Sequence, residues 1–320
     1  MKHLLSLEDL SRADIESILS RVSGFKRHRT SHARPLAGQT WALLFSKSST
    51  RTRVSFEVGL RELGANVMFL SAADIQLGRG EPIRDTARVL GRMVHGAVVR
   101  TFAQQDVVEF AQYSGIPTIN ALTDDEHPCQ ILTDLFTFQE LGGAPITGRL
   151  VTFVGDAACN VPASWIFAAA RLGFQLRLAA PASYQPGDEL LRRAGGSPGP
   201  APAGAPAGTE CWYFPTGATV VRTPDLHWAA AGADLLYTDV WVSMGKESES
   251  ARRLQELSGY QINAPVVARA NPGALVTHCL PAYRGKEIDE ATLEAHAATI
   301  FTQAENRLHT QKAIVDWMLS

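Results

Sequence analysis

Cysteine is scarce. The 320 residues contain 4, Cys129, Cys159, Cys211 and Cys279, widely spaced and with no C-x-x-C pair. That excludes a disulfide framework and a cysteine-built zinc or redox site. A chain of this length buries enough apolar surface to need no covalent staple. An excess of charge of one sign is also missing. Lys+Arg total 30 and Asp+Glu 32, a formal net charge of −2, which speaks against a nucleic-acid partner or a polybasic membrane binder but leaves room for a local basic pocket. No apolar run approaches the roughly 20 residues that cross a bilayer. The stretch Met1 to Ser20 mixes charge into its apolar positions, has no hydrophobic signal segment and is acidic where a transit peptide would be Arg-rich. A cytoplasmic, reducing-compartment protein of two domains is expected, at roughly 100–200 residues per domain.

What is present is an alternation of short apolar runs and helical periodicity. A first helix is expected after Ser6, a candidate cap, with Ile15, Ile18 and Leu19 on one face. Strands are expected at 41–45, 67–70, 97–99 and 117–120, with helices between them and another at 130–141. A new start follows at 150–154, then a helix at 164–172 and strands at 175–179, 235–238 and 275–278. Repeated βα units with apolar strands imply parallel sheets covered by helices. The expected fold is α/β, two doubly wound parallel-sheet domains with the active site in the cleft between them. The expected boundaries are 1–135, 136–302 and a C-terminal helix at 303–320 packing back on the first domain. The stretch 195–208, with five Gly, four Pro and four Ala, reads as a surface insertion, with an interdomain linker as the competing reading.

Four segments carry chemistry. In Phe45-Ser46-Lys47-Ser48-Ser49-Thr50-Arg51-Thr52-Arg53, hydroxyls and arginines sit where a strand becomes a helix. A helix N-terminus with free N–H groups suits a phosphate, and Arg51 adds a charged fork. The alternative is a plain N-cap with solvated arginines, and the Gly-Lys pair of a P-loop is absent. His127-Pro128-Cys129-Gln130 precedes a helix, and His127 and Gln130 could both donate to a developing oxyanion. Asp239, followed by Ser243-Met244-Gly245, lies at the carboxyl end of a strand, where ligands of open α/β sheets bind. His278-Cys279-Leu280-Pro281 ends another strand. Taken singly, each of these last three is ambiguous, and Cys279 alone reads as a small buried residue.

Taken together and in order, these segments resemble the aspartate/ornithine carbamoyltransferase superfamily, in its ornithine branch. Asp85-Thr86-Ala87-Arg88-Val89-Leu90 and Glu305-Asn306-Arg307 extend the likeness nearly end to end. The resemblance implies a carbamoyl phosphate-binding domain at 1–135 and an ornithine-binding domain at 136–302. It implies that Ser49, Thr50, Arg51 and Thr52 hold the phosphate, with Arg100 reaching the same substrate and His127 and Gln130 contacting its carbamoyl group. Gln76 would enter the site from a neighbouring subunit of a homotrimer. Asn160, Asp239, Ser243 and Met244 would bind ornithine, and Cys279, Leu280 and Arg307 would close around the reacting carbon. Catalytic weight would fall on Arg100, His127, Cys279 and Asp239.

The implied activity is carbamoyl transfer from carbamoyl phosphate to the δ-amine of ornithine, giving citrulline and phosphate in arginine biosynthesis, with no metal and no organic cofactor. Lys47, Arg51, Arg53 and Arg100 would form a local cationic cluster for the dianion. One departure stands out: Cys159 occupies a position where the family usually has Asn, although Asn160 remains. The alternatives are a carbamoyltransferase for an amine such as putrescine, a non-catalytic paralogue, and a dinucleotide-binding protein suggested by Val154-Gly155-Asp156, which lacks G-x-G-x-x-G.

Overall fold

A computed structural model describes residues 1–29, 31–73, 75 and 80–320. The chain divides into two compact units, one of Met1–Phe136 with Glu305–Ser320, the other of Thr137–Ala304.

In the first unit the elements are α1 (Arg12–Arg27), β1 (Thr40–Phe45), α2 (Thr50–Glu62), β2 (Asn66–Ser71), α3 (Ile83–Leu90), β3 (Gly96–Arg100), α4 (Gln104–Ser114), β4 (Thr118–Leu122) and the start of α5 (Pro128–Gly142). The four strands form one parallel sheet in the order β2-β1-β3-β4. Strands β3 and β4 are buried at every position, as an apolar run covered on both faces should be. Ala42, Leu44, Val99, Val107 and Phe110 form the core beneath α3 and α4. Helix α1 begins later than Ser6: its cap is Ser11, in a capping box with Asp14. The Ser6 hydroxyl is engaged elsewhere, donating to the buried carboxylate of Glu126, which also accepts the Leu7 N–H at 3.1 Å. Both serines are good caps in sequence; the long-range carboxylate claims the first.

The second unit holds β5 (Leu150–Val154), α6 (Asn160–Leu172), β6 (Gln175–Ala179), α7 (Asp188–Arg193), β7 (Ser197–Gly199), β8 (Glu210–Tyr213), β9 (Thr219–Thr223), α8 (Leu226–Ala230), β10 (Leu235–Thr238), α9 (Ser250–Glu256), α10 (Ala264–Val267), β11 (Leu275–His278), α11 (Glu290–Ala295) and the first turns of α12 (Ala297–Leu319). Its sheet runs β11-β10-β5-β6-β9-β8-β7. Five strands pair in parallel, but β8 runs antiparallel to both β9 and β7, so the sheet is mixed rather than parallel throughout. The Gly/Pro/Ala stretch therefore contributes a short edge strand, Ser197–Gly199, as well as a loop. Val154, Leu236, Ile262, Val276 and Ile288 form this unit's core. Among the described residues, no helix is long and apolar enough to cross a membrane.

Candidate active site

The order β2-β1-β3-β4 makes the boundary between β1 and β3 a switch point, because the chain leaves β1 toward one side for β2 and resumes on the other at β3. Ligands of open α/β sheets bind outside the carboxyl ends of strands at such a point. Phe45 and Arg100, the last residues of β1 and β3, are register partners, and the Ser46 N–H donates to the Arg100 carbonyl at 2.7 Å. The turn that follows leads into α2, whose N-cap is Ser49, accepting the Thr52 N–H at 3.3 Å.

The capping reading of this turn is thus correct for Ser49, and it does not compete with anion binding, since one side-chain cap leaves other first-turn N–H groups to a ligand. Thr50 is exposed and Arg51 half-buried, with its Nε buried and without a partner among the described residues. Thr52 is buried and its hydroxyl accepts from Arg307 of α12. Two members of the expected cationic cluster are used otherwise. Lys47 is buried, ion-paired with Asp124 and 4.5 Å from the Phe102 ring centroid. Arg53 stacks on Phe69 at 3.5 Å and lies 3.6 Å from Glu57. The cluster at this sheet end is therefore Arg51, Arg100 and Arg307 rather than Lys47, Arg51, Arg53 and Arg100.

His127 and Gln130 open α5, where the Gln130 N–H donates to the His127 carbonyl at 3.1 Å. Both are buried. Burial holds the His127 pKa well below the usual imidazole value, and the nearby Arg307 and Arg100 push it further down. A neutral ring is the form that can donate one hydrogen bond without bringing a second charge. Gln130 differs from expectation: its Nε2 donates to both carboxylate oxygens of Asp134, at 3.1 and 3.3 Å, so its donor faces along the helix.

In the second unit, β5 and β10 flank the equivalent switch point. Asn160 is the first residue of α6, just beyond β5. Gly155, just beyond β5, takes φ +121, a conformation that a Cβ disfavours. Cys159 occupies the N-cap without capping the helix through its side chain; its thiol donates instead to the Asp156 carbonyl at 3.2 Å. Burial raises the Cys159 pKa well above the ordinary thiol value, with Asp156 and Asp239 adding to the effect.

Asp239 follows β10, accepting the Val240 N–H at 2.7 Å and the Cys279 thiol at 2.9 Å. Burial raises its pKa, opposed by His278 and by these two hydrogen bonds. The ligand atoms of Asp239, His278 and Cys279 lie within 4.8 Å of one another. That spacing would admit a divalent ion, and the thiol–carboxylate hydrogen bond accounts for the approach without one. Leu280 takes φ +60, and its N–H donates to His278 Nδ1 at 2.8 Å, while His278 Nε2 lies 3.3 Å from Glu287. Ser243 and Met244 lie on a turn closed by Lys246 N–H donating to the Ser243 carbonyl at 3.0 Å, and Met244 is exposed.

Arg253 fastens both ends of this turn, donating to Asp156 at 2.7 Å, to the Trp241 carbonyl at 3.2 Å and to Glu249 at 3.0 Å. Sequence reading missed Asp134 and Arg253. The i,i+4 spacing of Gln130 and Asp134 on a helix was the available signal for the first; nothing local marks the second. Gln76 lies outside the described residues. A cavity of about 670 Å³ in the first unit, lined by Ser46, Glu81, Arg84, Thr101, Phe102 and Asp106 among others, contains none of the expected site residues.

Residues 2–140 match the carbamoyl-P binding domain of the aspartate/ornithine carbamoyltransferases, and residues 207–318 match their Asp/Orn binding domain. An ornithine carbamoyltransferase of Akkermansia muciniphila is 51% identical, the match covering 98% of this chain and 97% of the relative. One from Campylobacter fetus is 45% identical over 99% and 98%. Among solved structures, the anabolic ornithine carbamoyltransferase of Campylobacter jejuni superposes with a TM-score of 0.88 at 38% identity, covering 99% of each chain. That of Pyrococcus furiosus gives 0.86 at 37% identity, covering 98% of this chain and 96% of its own.

Proposed function

The chain belongs to the aspartate/ornithine carbamoyltransferase family, and from that premise we propose that it transfers the carbamoyl group of carbamoyl phosphate to the δ-amine of ornithine. The observation that carries this reading is the first unit's switch point, where the α2 N-terminus, Arg51, Arg100 and the Arg307–Thr52 pair gather donors around one strand end. Such a set suits a phosphate bonded to a carbonyl.

In this reading Ser49, Thr50, Arg51 and the α2 N-terminus bind the phosphate. Arg100, neutral His127 and Thr52 stabilise charge growing on the carbonyl oxygen. The second unit supplies the amino acid's partners. Asp239 matches the α-ammonium, Asn160 the polar backbone end, and Ser243 and Met244 the side of the chain. Cys279 and Leu280 border the reacting carbon. The δ-amine attacks as the free base, forming the C–N bond. The adduct then breaks its C–O bond, and the proton shed by the amine leaves on hydrogen phosphate. Carbamoyl phosphate is already activated, so the balance closes on the two substrates alone. Holding both in contact range supplies much of the acceleration. By the same family likeness, Gln76 serves a neighbouring subunit of a homotrimer, and the enzyme acts in cytoplasmic arginine biosynthesis.

Putrescine is the rival acceptor. It keeps the ammonium that the buried Asp239 would meet and lacks only ornithine's α-carboxylate, so discrimination falls on the partners of that carboxylate, with Asn160 at this end of the amino acid. The test is turnover of carbamoyl phosphate with ornithine and with putrescine, beside the Arg51→Ala variant. Citrulline is expected with ornithine and is lost in Arg51→Ala without loss of fold. No turnover with ornithine, or an unaffected variant, would overturn the reading.

A further inference from the structure

We propose that Trp241 is a specificity-determining residue whose indole N–H binds the α-carboxylate of the amino acid, the one group that separates ornithine from putrescine. This role rests on the activity inferred above and adds a donor to the second unit's site that no sequence motif marks.

Trp241 is 4% exposed, and its Nε1 is buried with no partner among the described residues. A buried polar group left open is costly unless a ligand meets it. An indole nitrogen only donates, so whatever completes it must be an acceptor. The location of this donor is fixed by Gly155. Trp241 Nε1 and Cδ1 both lie 3.5 Å from the point where a Gly155 Cβ would stand, and Thr238 Oγ1 lies 3.7 Å from the same point. The Thr238 hydroxyl is engaged, donating to the Val154 carbonyl at 2.7 Å. The indole N–H therefore sits at the fork between the carboxyl ends of β5 and β10, which pair in parallel. From β5 the sheet continues to β6 on one side, and from β10 to β11 on the other. Such a fork is where open α/β sheets bind ligands. The ring is held there from its own backbone, since the Trp241 carbonyl accepts from Arg253 at 3.2 Å.

Asn160 and Asp239 follow these same two strands. Asp239 is itself a carboxylate and repels the substrate's, whereas a neutral indole offers that group a hydrogen bond. Helix α6, 13 residues long, starts beyond β5 with Cys159 at its N-cap making no side-chain cap bond, so its first-turn N–H groups add positive potential after the same strand. Putrescine brings no acceptor to this fork and would leave the indole N–H unmet. A site built around a hydrogen bond rejects the analogue that lacks it far better than an apolar pocket rejects an extra group.

The test uses the full-length enzyme saturated with phosphonoacetamide, a stable analogue of carbamoyl phosphate, and two unreactive ligands, L-norvaline and butylamine. These share the ammonium and the propyl chain and differ only in the α-carboxylate. Norvaline binding is measured by calorimetry and butylamine binding by displacement of norvaline. Trp241→Phe keeps an aromatic ring against Gly155 and removes the N–H. The preference for norvaline is expected to fall about tenfold or more, the loss typical of a hydrogen bond to a charged group. A merely structural Trp241 would leave both ligands unchanged or weaken them alike; an unchanged ratio overturns the proposal. The wild type supplies a second readout that stands even if the variant does not fold. Among the six tryptophans, the ¹⁵N-indole resonance showing a nuclear Overhauser effect to Gly155 is expected to move downfield with norvaline and stay in place with butylamine. A resonance that norvaline leaves in place also overturns the proposal. Citrulline formation by the wild type is scored separately, so failure of the overall reading is distinguishable from failure of this one.

Discussion

Arg253→Met removes the guanidinium that ties Asp156 to the two ends of the Ser243-Met244-Gly245 turn. The Arg253 and Asp156 side chains are 10% and 6% exposed, so their 2.7 Å contact is a buried ion pair. Such a pair adds little over an apolar replacement of both partners, yet removing one partner alone strands the other charge, at a cost of about 3–5 kcal/mol. Asp156 keeps one consolation, the Ala158 N–H at 3.1 Å, which places the expected loss near the lower figure. The Glu249 contact is solvent-screened and adds little.

Urea unfolding of Arg253→Met, Asp156→Asn and the double variant forms a cycle. The double variant is expected to lose markedly less than the sum of the singles, because no unmatched charge remains. Steady-state kinetics should show the ornithine KM rising more than kcat falls, since the turn's two ends, Trp241 and Glu249, are held by this residue. A single-variant loss under about 1 kcal/mol, the range of exposed pairs, or strict additivity, would refute the reasoning.

Two further outcomes follow from the same geometry. Gly155→Ala should cost about 1–3 kcal/mol from backbone strain at φ +121. The added carbon would meet Trp241 at an ordinary 3.5 Å, so crowding is not the cause, and an unchanged urea midpoint would contradict this. Stability should also fall as pH drops from about 6.5 toward 4. Burial lowers the pKa of His3, His127 and His296, and that of His309 to about 4. Over that window the unfolded chain binds protons that the folded chain resists, and stability declines on acidification. Asp239, with its raised pKa, works the other way toward the acid end. His309→Gln should flatten the decline; a profile flat or rising toward pH 5 would be inconsistent with neutral buried imidazoles.

The parallel cores were legible because a strand covered on both faces must be an apolar run, as in Trp41 to Phe45 and Leu150 to Val154. Glycine ends such as Gly155 marked where these strands turn. The β7–β8 edge was not legible: Ser197-Pro198-Gly199 is exposed at each position and pairs through backbone alone, leaving no side-chain pattern. In the site, residue types at strand ends pointed to Ser49, Arg100, Asp239 and Cys279. Which arm of an amide or which arginine faces a ligand depends on partners distant in sequence or unmarked in it. Arg53 is drawn away by Phe69, Lys47 by Asp124, and Gln130 is turned by Asp134.

The most direct measurement follows ¹³C-carbamoyl phosphate mixed with ornithine and the purified enzyme by NMR. The label is expected to appear in the ureido carbon of citrulline as phosphate is released in equal amount. Label retained in carbamoyl phosphate, or passed to putrescine in preference to ornithine when both amines are present, would contradict the assignment.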